Sequence, residues 1–366
     1  MSSLFIGLMS GTSIDSIDAA VINFDDSPRI VATHSHPIKP ELKARLLKLS
    51  QGSDNELEQM LLLDREMGLL FAKATRKLLQ QANIDAASIT AIGSHGQTVR
   101  HYPELHCTLQ IGDANLIAEK TGITTVADFR RRDLAAGGEG APLAPAFHNA
   151  VFRSVDEGRA IVNIGGIANI THLPTDPATA VSGFDTGPGN MLMDGWAQRH
   201  LNQPFDCDGG WAKQGEVNQA LLEQLLQEPY LSKAPPKSTG RELFNIDWLD
   251  RQLATFGETV APESVQATLC QFTAITIANA VAKYCDNSKA LFVCGGGGHN
   301  RQLMQTLQAA LPDHQVKSTE ALEVSPDWVE AAAFAWLAKQ TLEGKAGNLP
   351  AVTGASHPVV LGAVYR

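Results

Sequence analysis

Carboxylates and small hydroxyl residues stand close together near the start of the chain. The stretch GLMSGTSIDSID, from Gly7 to Asp18, places a Gly-Thr-Ser turn directly after a short apolar strand. Consecutive backbone N–H groups and hydroxyls in such a turn can surround an anion. Asp15 and Asp18 carry the oxygen ligands that Mg²⁺ prefers when phosphates share the ion. The stretch therefore predicts either a phosphate-binding hairpin or a polar turn with surface aspartates.

The spacing of the two aspartates limits how both could serve one metal ion. Residues three apart in a regular strand point to opposite faces. We therefore expect only one of them to reach the ion. Asp15, which is nearer the turn, is the expected ligand, acting through a water molecule.

Another carboxylate, Asp185, lies in the stretch GFDTGPGN, which ends at Asn190. Its glycines allow the backbone to come close to a ligand, and we predict a helix from about Met191. A carboxylate in a rigid loop at the start of a helix is well placed to act as a general base. The alternative is a helix-capping loop in which Asn190 is the N-cap.

Glu330 is predicted to lie in a helix whose N-cap is Ser325 and whose first residue is Pro326. The helical spacing places it on one face with Ala333, Phe334 and Leu337. A carboxylate on an apolar face is unfavourable unless another group pairs with it. The alternative is a first-turn glutamate that the helix dipole stabilises, and both interpretations stay open.

Basic and polar side chains mark two further segments. Arg130, Arg131 and Arg132 form a charge run in a Gly-rich segment, where they could bind a carboxylate or phosphate bidentately. A solvated surface is the alternative. His95 and Gln97 end a predicted strand, where ligand groups often lie in α/β sheets. A core or capping histidine is the competing interpretation.

A third glycine-rich stretch, GGGGHN, runs from Gly295 to Asn300 between a predicted strand and a predicted helix. It begins like a dinucleotide-binding fingerprint, but Asn300 stands where the third glycine should be. The stretch is consistent with contact to a nucleotide. A strand-to-helix turn with additional glycines is the alternative.

Composition and charge argue against several classes of protein. The chain has 366 residues and a formal net charge of −10, which is unfavourable for binding nucleic acid. Five scattered cysteines without a C-x-x-C motif fit reduced thiols in the cytosol. The N-terminal apolar run is too short for a signal peptide, and no segment is expected to span a membrane. We expect a cytoplasmic protein that binds neither nucleic acid nor membranes.

Two segments about half a chain apart repeat one pattern. FIGLMSGTSIDSIDAAVINF (residues 5–24) and AIVNIGGIANITHL (residues 160–173) each read as a strand, a turn of small residues and a strand. The repeat predicts two similar α/β domains. We place residues 1–130 and about 346–366 in the first domain and residues 131–345 in the second.

Eight segments in the same order resemble the signature blocks of the anhydro-N-acetylmuramic acid kinase family. They lie between Gly7 and Ala338 and read GLMSGTSIDSID, GSHGQTVRH, ADFRRRDLAAGGEGAPLAPAFH, NIGGIANIT, GFDTGPGN, KSTGRELFN, CGGGGHN and PDWVEAAAFAWLA. In one position the chain departs from this pattern, because Ser16 stands where the family's first loop commonly ends in glycine.

The resemblance implies an α/β fold with two duplicated actin-like ATPase (ribonuclease H-like) domains around a central nucleotide and substrate cleft. It implies that ATP and water convert 1,6-anhydro-N-acetylmuramic acid to N-acetylmuramic acid 6-phosphate and ADP, with Mg²⁺, in peptidoglycan recycling. It also implies a homodimer. Another hexosamine kinase or a polyphosphate hydrolase of the same fold, and a non-catalytic actin-like nucleotide switch, stay open as alternatives.

The resemblance also implies roles for individual residues. Asp185 is the implied catalytic base, and Glu330 the implied carboxylate that orients substrate or water. The implied ATP-binding residues are Gly11, Thr12, Ser13, Ile14, Asp15, Ser16, Ile17, Asp18, Gly165, Gly166, Gly295, Gly296, Gly297 and Asn300. The expected substrate-binding residues are His95, Gln97, Arg130, Arg131 and Asn190.

Overall fold

A computed structural model describes residues 3–11, 13–25, 27–52 and 54–366 and contains two mixed β-sheets. The chain divides into two compact units. The first unit comprises the described residues up to Val151 together with Trp328–Arg366, and the second comprises Phe152–Asp327. Each unit contains one of the sheets.

The first unit surrounds its sheet with helices. Its strands are β1 (Leu4–Ser10), β2 (Ser16–Asn23), β3 (Arg29–Pro37), β4 (Ile89–Tyr102), β5 (Cys107–Ile111), β6 (Thr125–Ala127) and β12 (Ala363–Tyr365). Its helices are α1 (Pro40–Gln51), α2 (Glu56–Ala82), α3 (Ala114–Thr121), α4 (Arg131–Ala135), α5 (Ala144–Val151), α12 (Val329–Leu342) and α13 (Pro350–Thr353).

The second unit is built in the same way. Its strands are β7 (Gly158–Ile164), β8 (Ile167–Leu173), β9 (Ser182–Pro188), β10 (Ser288–Cys294) and β11 (Gln315–Ser318). Its helices are α6 (Met191–Leu201), α7 (Gln219–Leu225), α8 (Pro229–Ser232), α9 (Ile246–Phe256), α10 (Pro262–Tyr284) and α11 (Arg301–Ala310). Short 3-10 turns occupy Ala86–Ser88, Pro103–Leu105, Cys207–Gly209, Ala212–Gln214, Gly296–His299, Thr319–Leu322 and Pro326–Trp328.

The two sheets share one topology. In the first, β1, β2 and β3 form an antiparallel meander, and β4 and then β6 continue the sheet in parallel beyond β1. In the second, β7, β8 and β9 form the meander, and β10 and β11 continue in parallel beyond β7. The duplicated α/β fold predicted from the sequence repeat is therefore confirmed.

Helices α4, α5 and α12 belong to the first unit, although the sequence interpretation placed all three in the second domain. The units divide after Val151 and after Asp327, whereas the sequence suggested divisions after residue 130 and near residue 346. Helices α5 and α12 pack against each other, with the rings of Phe147 and Trp336 6.3 Å apart. The chain end also lies in the first unit, where β12 pairs with β6.

From the sequence we expect no segment that is long and apolar enough to span a membrane, but one helix meets these two criteria. Helix α10 is long and apolar enough to do so by length and composition, but 78% of its most apolar window is buried inside the structure. Leu269, Phe272 and Ile277 of this helix are among the buried residues of the second unit's core. Its apolar character is therefore that of a helix at the centre of a folded domain.

Two glycines allow α12 to lie directly against the first sheet. A Cβ atom at Gly7 would be 1.7 Å from the backbone oxygen of Ala331, and one at Gly93 would be 2.0 Å from that of Phe334. Real Cβ atoms do not approach backbone oxygens so closely, and glycine in a strand is typical of such contacts. The two glycines therefore fix the position of the first two turns of α12 above β1 and β4.

We expect Gly93→Ala to lower the free energy of unfolding by about 1–3 kcal/mol, because the added methyl group must push α12 away from the sheet. Denaturant unfolding of the purified protein measures this change. Gly298→Ala is the control, because the φ of Gly298 is not positive and its added Cβ would be 3.7 Å from the nearest atom, an ordinary van der Waals distance. Equal stability of the two variants would contradict the close packing.

Candidate active site

The first sheet places a histidine and a carboxylate on the face that α12 covers. The His95 ring lies 4.7 Å from the ring of Phe334 in α12. Asp18 pairs with Met9 across β1 and β2. Because side chains alternate along a strand and paired residues share a face, Met9 points to the same side as Gly7, and so does Asp18. Both polar groups therefore lie on the side of the sheet where α12 begins.

Arg130 is held in one orientation by His95 and Gly140. Its Nη2 and Nε atoms lie 2.9 and 3.3 Å from Nε2 of His95, and Nη1 donates to the Gly140 carbonyl oxygen at 2.7 Å. Burial, assisted by the charge of Arg130, lowers the pKa of His95 to about 3. His95 is therefore neutral at ordinary pH and accepts a hydrogen bond from the guanidinium.

Glu330 lies in the first turn of α12. It interacts electrostatically with Arg130 and Asp18. Its side chain reaches solvent, yet the surrounding protein desolvates its carboxyl group and raises the pKa. Arg130 opposes this rise, and Asp18 adds to it. Burial lowers the pKa of Arg130 to about 10, whereas Glu330 and Asp133 act to raise it. The structure therefore gives Glu330 both an electrostatic interaction with the cation Arg130 and a place in the first turn of α12.

The first loop is anchored by apolar side chains. Ile14 and Ile17 are buried, and the Ile14 N–H donates to the Gly11 carbonyl oxygen at 3.2 Å. Ile14 has a φ of 55°, a left-handed conformation that is uncommon for a β-branched residue. Ser13 is exposed beside it. Thr12, expected to bind ATP, lies outside the described residues.

Gln97 supports the same loop from β4. Its Oε1 accepts a hydrogen bond from the Ser10 hydroxyl at 2.7 Å, and its Nε2 donates to the Gly11 carbonyl oxygen at 3.4 Å. Both side chains are buried. The contacts join the end of β1 to β4 and so connect the loop with the strand that carries His95.

The two aspartates of the loop have different surroundings. Asp15 is 65% exposed and forms an ion pair with Lys43 at 2.5 Å. Asp18 accepts hydrogen bonds from the hydroxyls of Ser16 and Ser35 at 3.0 and 2.8 Å. Ser16 is the first residue of β2, where an extended backbone suits any residue, so glycine is not needed at this position. Its hydroxyl instead orients the Asp18 carboxylate.

Arg131 does not share the contacts of Arg130. Its Nε lies 3.4 Å from Oδ1 of Asp128, and its side chain is 59% exposed. Together with Ser94 and Asp113 it lines a cavity of about 230 Å³ in the first unit. Of the two arginines expected to bind substrate, Arg130 is the one beside Glu330.

In the second unit, the Gly165–Gly166 turn is fixed by the chain that follows β9. The carbonyl oxygen of Gly165 accepts from the Asn190 N–H, and that of Gly166 accepts from the Gly189 N–H, both at 2.8 Å. In a trans peptide the C=O and N–H groups point in opposite directions. The N–H of Gly166 is therefore directed away from this segment, as a phosphate-binding turn requires.

The side chain of Asn190 does not cap α6, which was one interpretation of the sequence. Its Nδ2 donates to the Ile164 carbonyl oxygen at 3.1 Å. A Cβ atom at Gly296 would be 3.9 Å from the same Nδ2. Asn190 thus lies beside the exposed glycine of the third glycine-rich stretch.

That third stretch packs against the end of β7. A Cβ atom at Gly295 would be 2.2 Å from Oδ1 of Asn163, and one at Gly297 would be 2.4 Å from Cγ2 of Ile164. Asn300 caps α11, because its Oδ1 accepts from the Leu303 N–H at 3.0 Å. The glycine-rich residues expected to bind ATP in this unit are therefore neighbours at the ends of β7 and β10.

Asp185 lies on β9, at the edge of the second sheet. Its Oδ2 accepts a hydrogen bond from the backbone N–H of Thr239 at 3.0 Å. Its own N–H donates to the Lys237 carbonyl oxygen at 3.2 Å, and its carbonyl oxygen accepts from the Tyr230 hydroxyl at 2.8 Å. Sequence reasoning assigned no role to these three partners, because neither spacing nor periodicity relates them to β9.

The family model of anhydro-N-acetylmuramic acid kinase matches residues 3–366. A curated relative from Coxiella burnetii is 52% identical over 363 residues, covering 99% of this chain and 97% of that protein. One from Shewanella amazonensis is 53% identical over 366 residues, covering 99% and 98%. Both are named anhydro-N-acetylmuramic acid kinase.

Solved structures of other proteins are more distant. A ROK family glucokinase from Streptomyces griseus, in complex with glucose and AMPPNP, has a TM-score of 0.43 and 14% identity, covering 92% of this chain and 99% of that chain. Component A of the (R)-2-hydroxyglutaryl-CoA dehydratase from Acidaminococcus fermentans has a TM-score of 0.48 and 11% identity, covering 91% and 96%. No functional conclusion follows from likenesses of this kind.

The neutral state of His95 should make stability depend on pH. Its pKa is about 3 in the folded protein and about 6.5 in an unfolded chain. Unfolding therefore takes up a proton between these values, and the free energy of unfolding falls as the pH is lowered through this window, by about 1.4 kcal/mol per pH unit.

We expect the free energy of unfolding of His95→Gln, measured with urea at about pH 4–5.5, to fall with decreasing pH by about 1.4 kcal/mol per pH unit less than that of the wild type, because Gln still accepts from Arg130 but does not titrate. His148 is the matched comparison, since burial also lowers its pKa to about 3. His148→Gln should give a similar reduction. An unchanged slope in His95→Gln would contradict the buried neutral histidine.

Proposed function

The chain belongs to the anhydro-N-acetylmuramic acid kinase family, and on this premise we propose that Asp185 and Glu330 are its catalytic carboxylates. The protein is an ATP-dependent kinase that hydrolytically opens 1,6-anhydro-N-acetylmuramic acid and phosphorylates O6. The products are N-acetylmuramic acid 6-phosphate and ADP, and the reaction belongs to peptidoglycan recycling. The family match over residues 3–366 carries this conclusion, and it does not favour another sugar kinase, a polyphosphate hydrolase or a nucleotide switch.

The reaction needs a base for water and an acceptor for the phosphoryl group. Water attacks the anomeric carbon C1 and gives one proton to the base, while the bond from C1 to O6 breaks. The released O6 then attacks the γ-phosphorus atom of ATP, and ADP leaves. A carboxylate can accept the proton of the attacking water in this step.

We propose Asp185 as this base. It lies on an edge strand, and the N–H of Thr239 holds one of its oxygens. A backbone N–H donor stabilises the ionised carboxylate, which is the form that accepts a proton. Its position in GFDTGPGN, which resembles the family's catalytic block, supports the same role.

We propose that Arg130 binds the lactyl carboxylate of the substrate and that Glu330 orients substrate or water beside it. The guanidinium of Arg130 is preorganised by His95 and Gly140, which favours bidentate binding of a carboxylate. Arg131 is a weaker choice, because it is exposed and paired with Asp128. His95 would then act on the substrate through Arg130.

We propose that the nucleotide's phosphates contact the loop around Gly11 and the turn at Gly165 and Gly166, with Gly296 near the adenosine. In the described part of the chain no group of three or more His, Cys, Asp or Glu residues could hold a metal ion alone. This fits Mg²⁺, which binds through one or two carboxylates and substrate phosphates.

When bound, Mg²⁺ would offset the negative charge of the phosphates. Asp15 was the ligand expected from the sequence. Its ion pair with Lys43 offsets its charge, so we propose that Asp18 contributes at least as much to the metal site. From the family we also infer a homodimer in the cytoplasm, and light scattering of the purified protein tests the dimer.

We expect Asp185→Asn to lose turnover by a factor of about 100 or more, because it removes a general base. Its affinity for ATP should stay close to the wild-type value. Turnover is measured by coupled ADP release with the anhydro-sugar, and nucleotide affinity by calorimetry. Asp313→Asn, at an exposed position, is the control and should behave as wild type.

Near-wild-type turnover of Asp185→Asn would place the base elsewhere. Loss of both turnover and nucleotide affinity would instead identify Asp185 as part of the ATP site. If the wild-type enzyme still turns over after divalent cations are chelated, the reaction does not need Mg²⁺.

A further inference from the structure

We infer that Lys237 and Thr239, together with Tyr230, are positioning residues for Asp185. This inference rests on the proposed role of Asp185 as the base. One side of β9 pairs with β8, where Asp185 lies opposite Asn169. The other side is the sheet edge, where backbone N–H and C=O groups need partners from outside the sheet.

Lys237 and Tyr230 provide these partners. The Asp185 N–H donates to the Lys237 carbonyl oxygen at 3.2 Å, and the Tyr230 hydroxyl donates to the Asp185 carbonyl oxygen at 2.8 Å. Tyr230 is buried, with 4% of its surface exposed. Burial and the Asp185 charge both raise the pKa of its phenol, so the hydroxyl stays protonated and remains a donor.

Thr239 acts on the side chain itself. Its N–H donates to Oδ2 of Asp185 at 3.0 Å, so this oxygen is fixed by a group that belongs to the main chain. A segment that merely covered the edge of the sheet would bond to backbone groups alone. The bond to Oδ2 both orients the carboxylate and favours its ionised form.

The Lys237 side chain secures the segment. Its Nζ donates to the carbonyl oxygen of Leu231 at 3.1 Å and lies 4.7 Å from the centre of the Tyr230 ring. Both contacts are with α8. The Lys237 side chain therefore attaches the segment that contains Lys237 and Thr239 to α8, the helix that carries Tyr230. Lys237, Thr239 and Tyr230 thus act together in holding Asp185.

The test compares Thr239→Pro, which lacks the N–H, with Thr239→Ala, which keeps it. We expect kcat of Thr239→Pro to fall by about 10-fold or more at pH 7, and the acid limb of its kcat–pH profile to move to higher pH. The KM for ATP should change by less than about two-fold. Thr239→Ala should keep the wild-type acid limb, because the N–H is unchanged.

Tyr230→Phe is the second variant and removes only the hydroxyl. It should lower kcat by about three-fold or more without changing the KM for ATP. If circular dichroism shows that Thr239→Pro does not fold, Tyr230→Phe alone tests the positioning role. A general loss of structure would lower kcat at every pH without moving the acid limb.

The inference is overturned if Thr239→Pro is folded and its acid limb matches the wild type, or if Tyr230→Phe has wild-type kcat. Asp185→Asn separates this failure from that of the proposed function. If Asp185→Asn is inactive while Thr239→Pro and Tyr230→Phe resemble the wild type, only the positioning role is wrong. If Asp185→Asn is active, the proposed base is wrong and the positioning role falls with it.

Discussion

The backbone of α12 lies against the first sheet at a distance that admits no side chain, and the first unit's polar cluster depends on this contact. At Gly7 and Gly93 the backbone of the helix lies directly against β1 and β4. With any larger residue there, the first turn of α12 would move away from the sheet. Glu330 would then lose its place beside Asp18 and Arg130. The contact of His95 with Phe334 depends on the same packing.

The two units have the same strand order but present different chemistry at corresponding hairpins. In the first unit, the longer loop between β1 and β2 leads to Asp18, whose carboxylate is held by two hydroxyls. In the second, the turn between β7 and β8 has two glycines, and the flanking residues Asn163 and Asn169 pair with each other. The second hairpin thus has neutral amides near its turn, and its unit contributes a carboxylate from the edge strand β9 instead. The duplicated fold thus supplies two hairpins at corresponding positions of the sheets and two carboxylates that are held by different groups.

Local patterns predicted the parts of this molecule that are built from contiguous residues. The strand–turn–strand repeat predicted the duplication, and Glu330 does lie in a helix, although α12 begins at Val329 after a 3-10 turn and not at Pro326. The division between the units was missed, because α12 is placed by contacts with Gly7 and Gly93, which are distant in sequence. The relation of Asp15 to Lys43 in α1, and of Asp185 to Thr239, likewise depends on contacts that neither periodicity nor spacing encodes. The apolar α10 was not recognised as a candidate membrane span, because its character becomes clear only when its burial is known.

In the proposed mechanism, water activated by Asp185 opens the anhydro ring while O6 receives the phosphoryl group. The most direct test is turnover of 1,6-anhydro-N-acetylmuramic acid with Mg-ATP in ¹⁸O-labelled water, followed by rapid reduction of the sugar product and mass spectrometry. Unlabelled product kept in the same water for the same time corrects for exchange of the anomeric oxygen. We predict that ¹⁸O is found at C1 of the 6-phosphate and not in its phosphate group. Formation of the 6-phosphate without label at C1 would contradict the account.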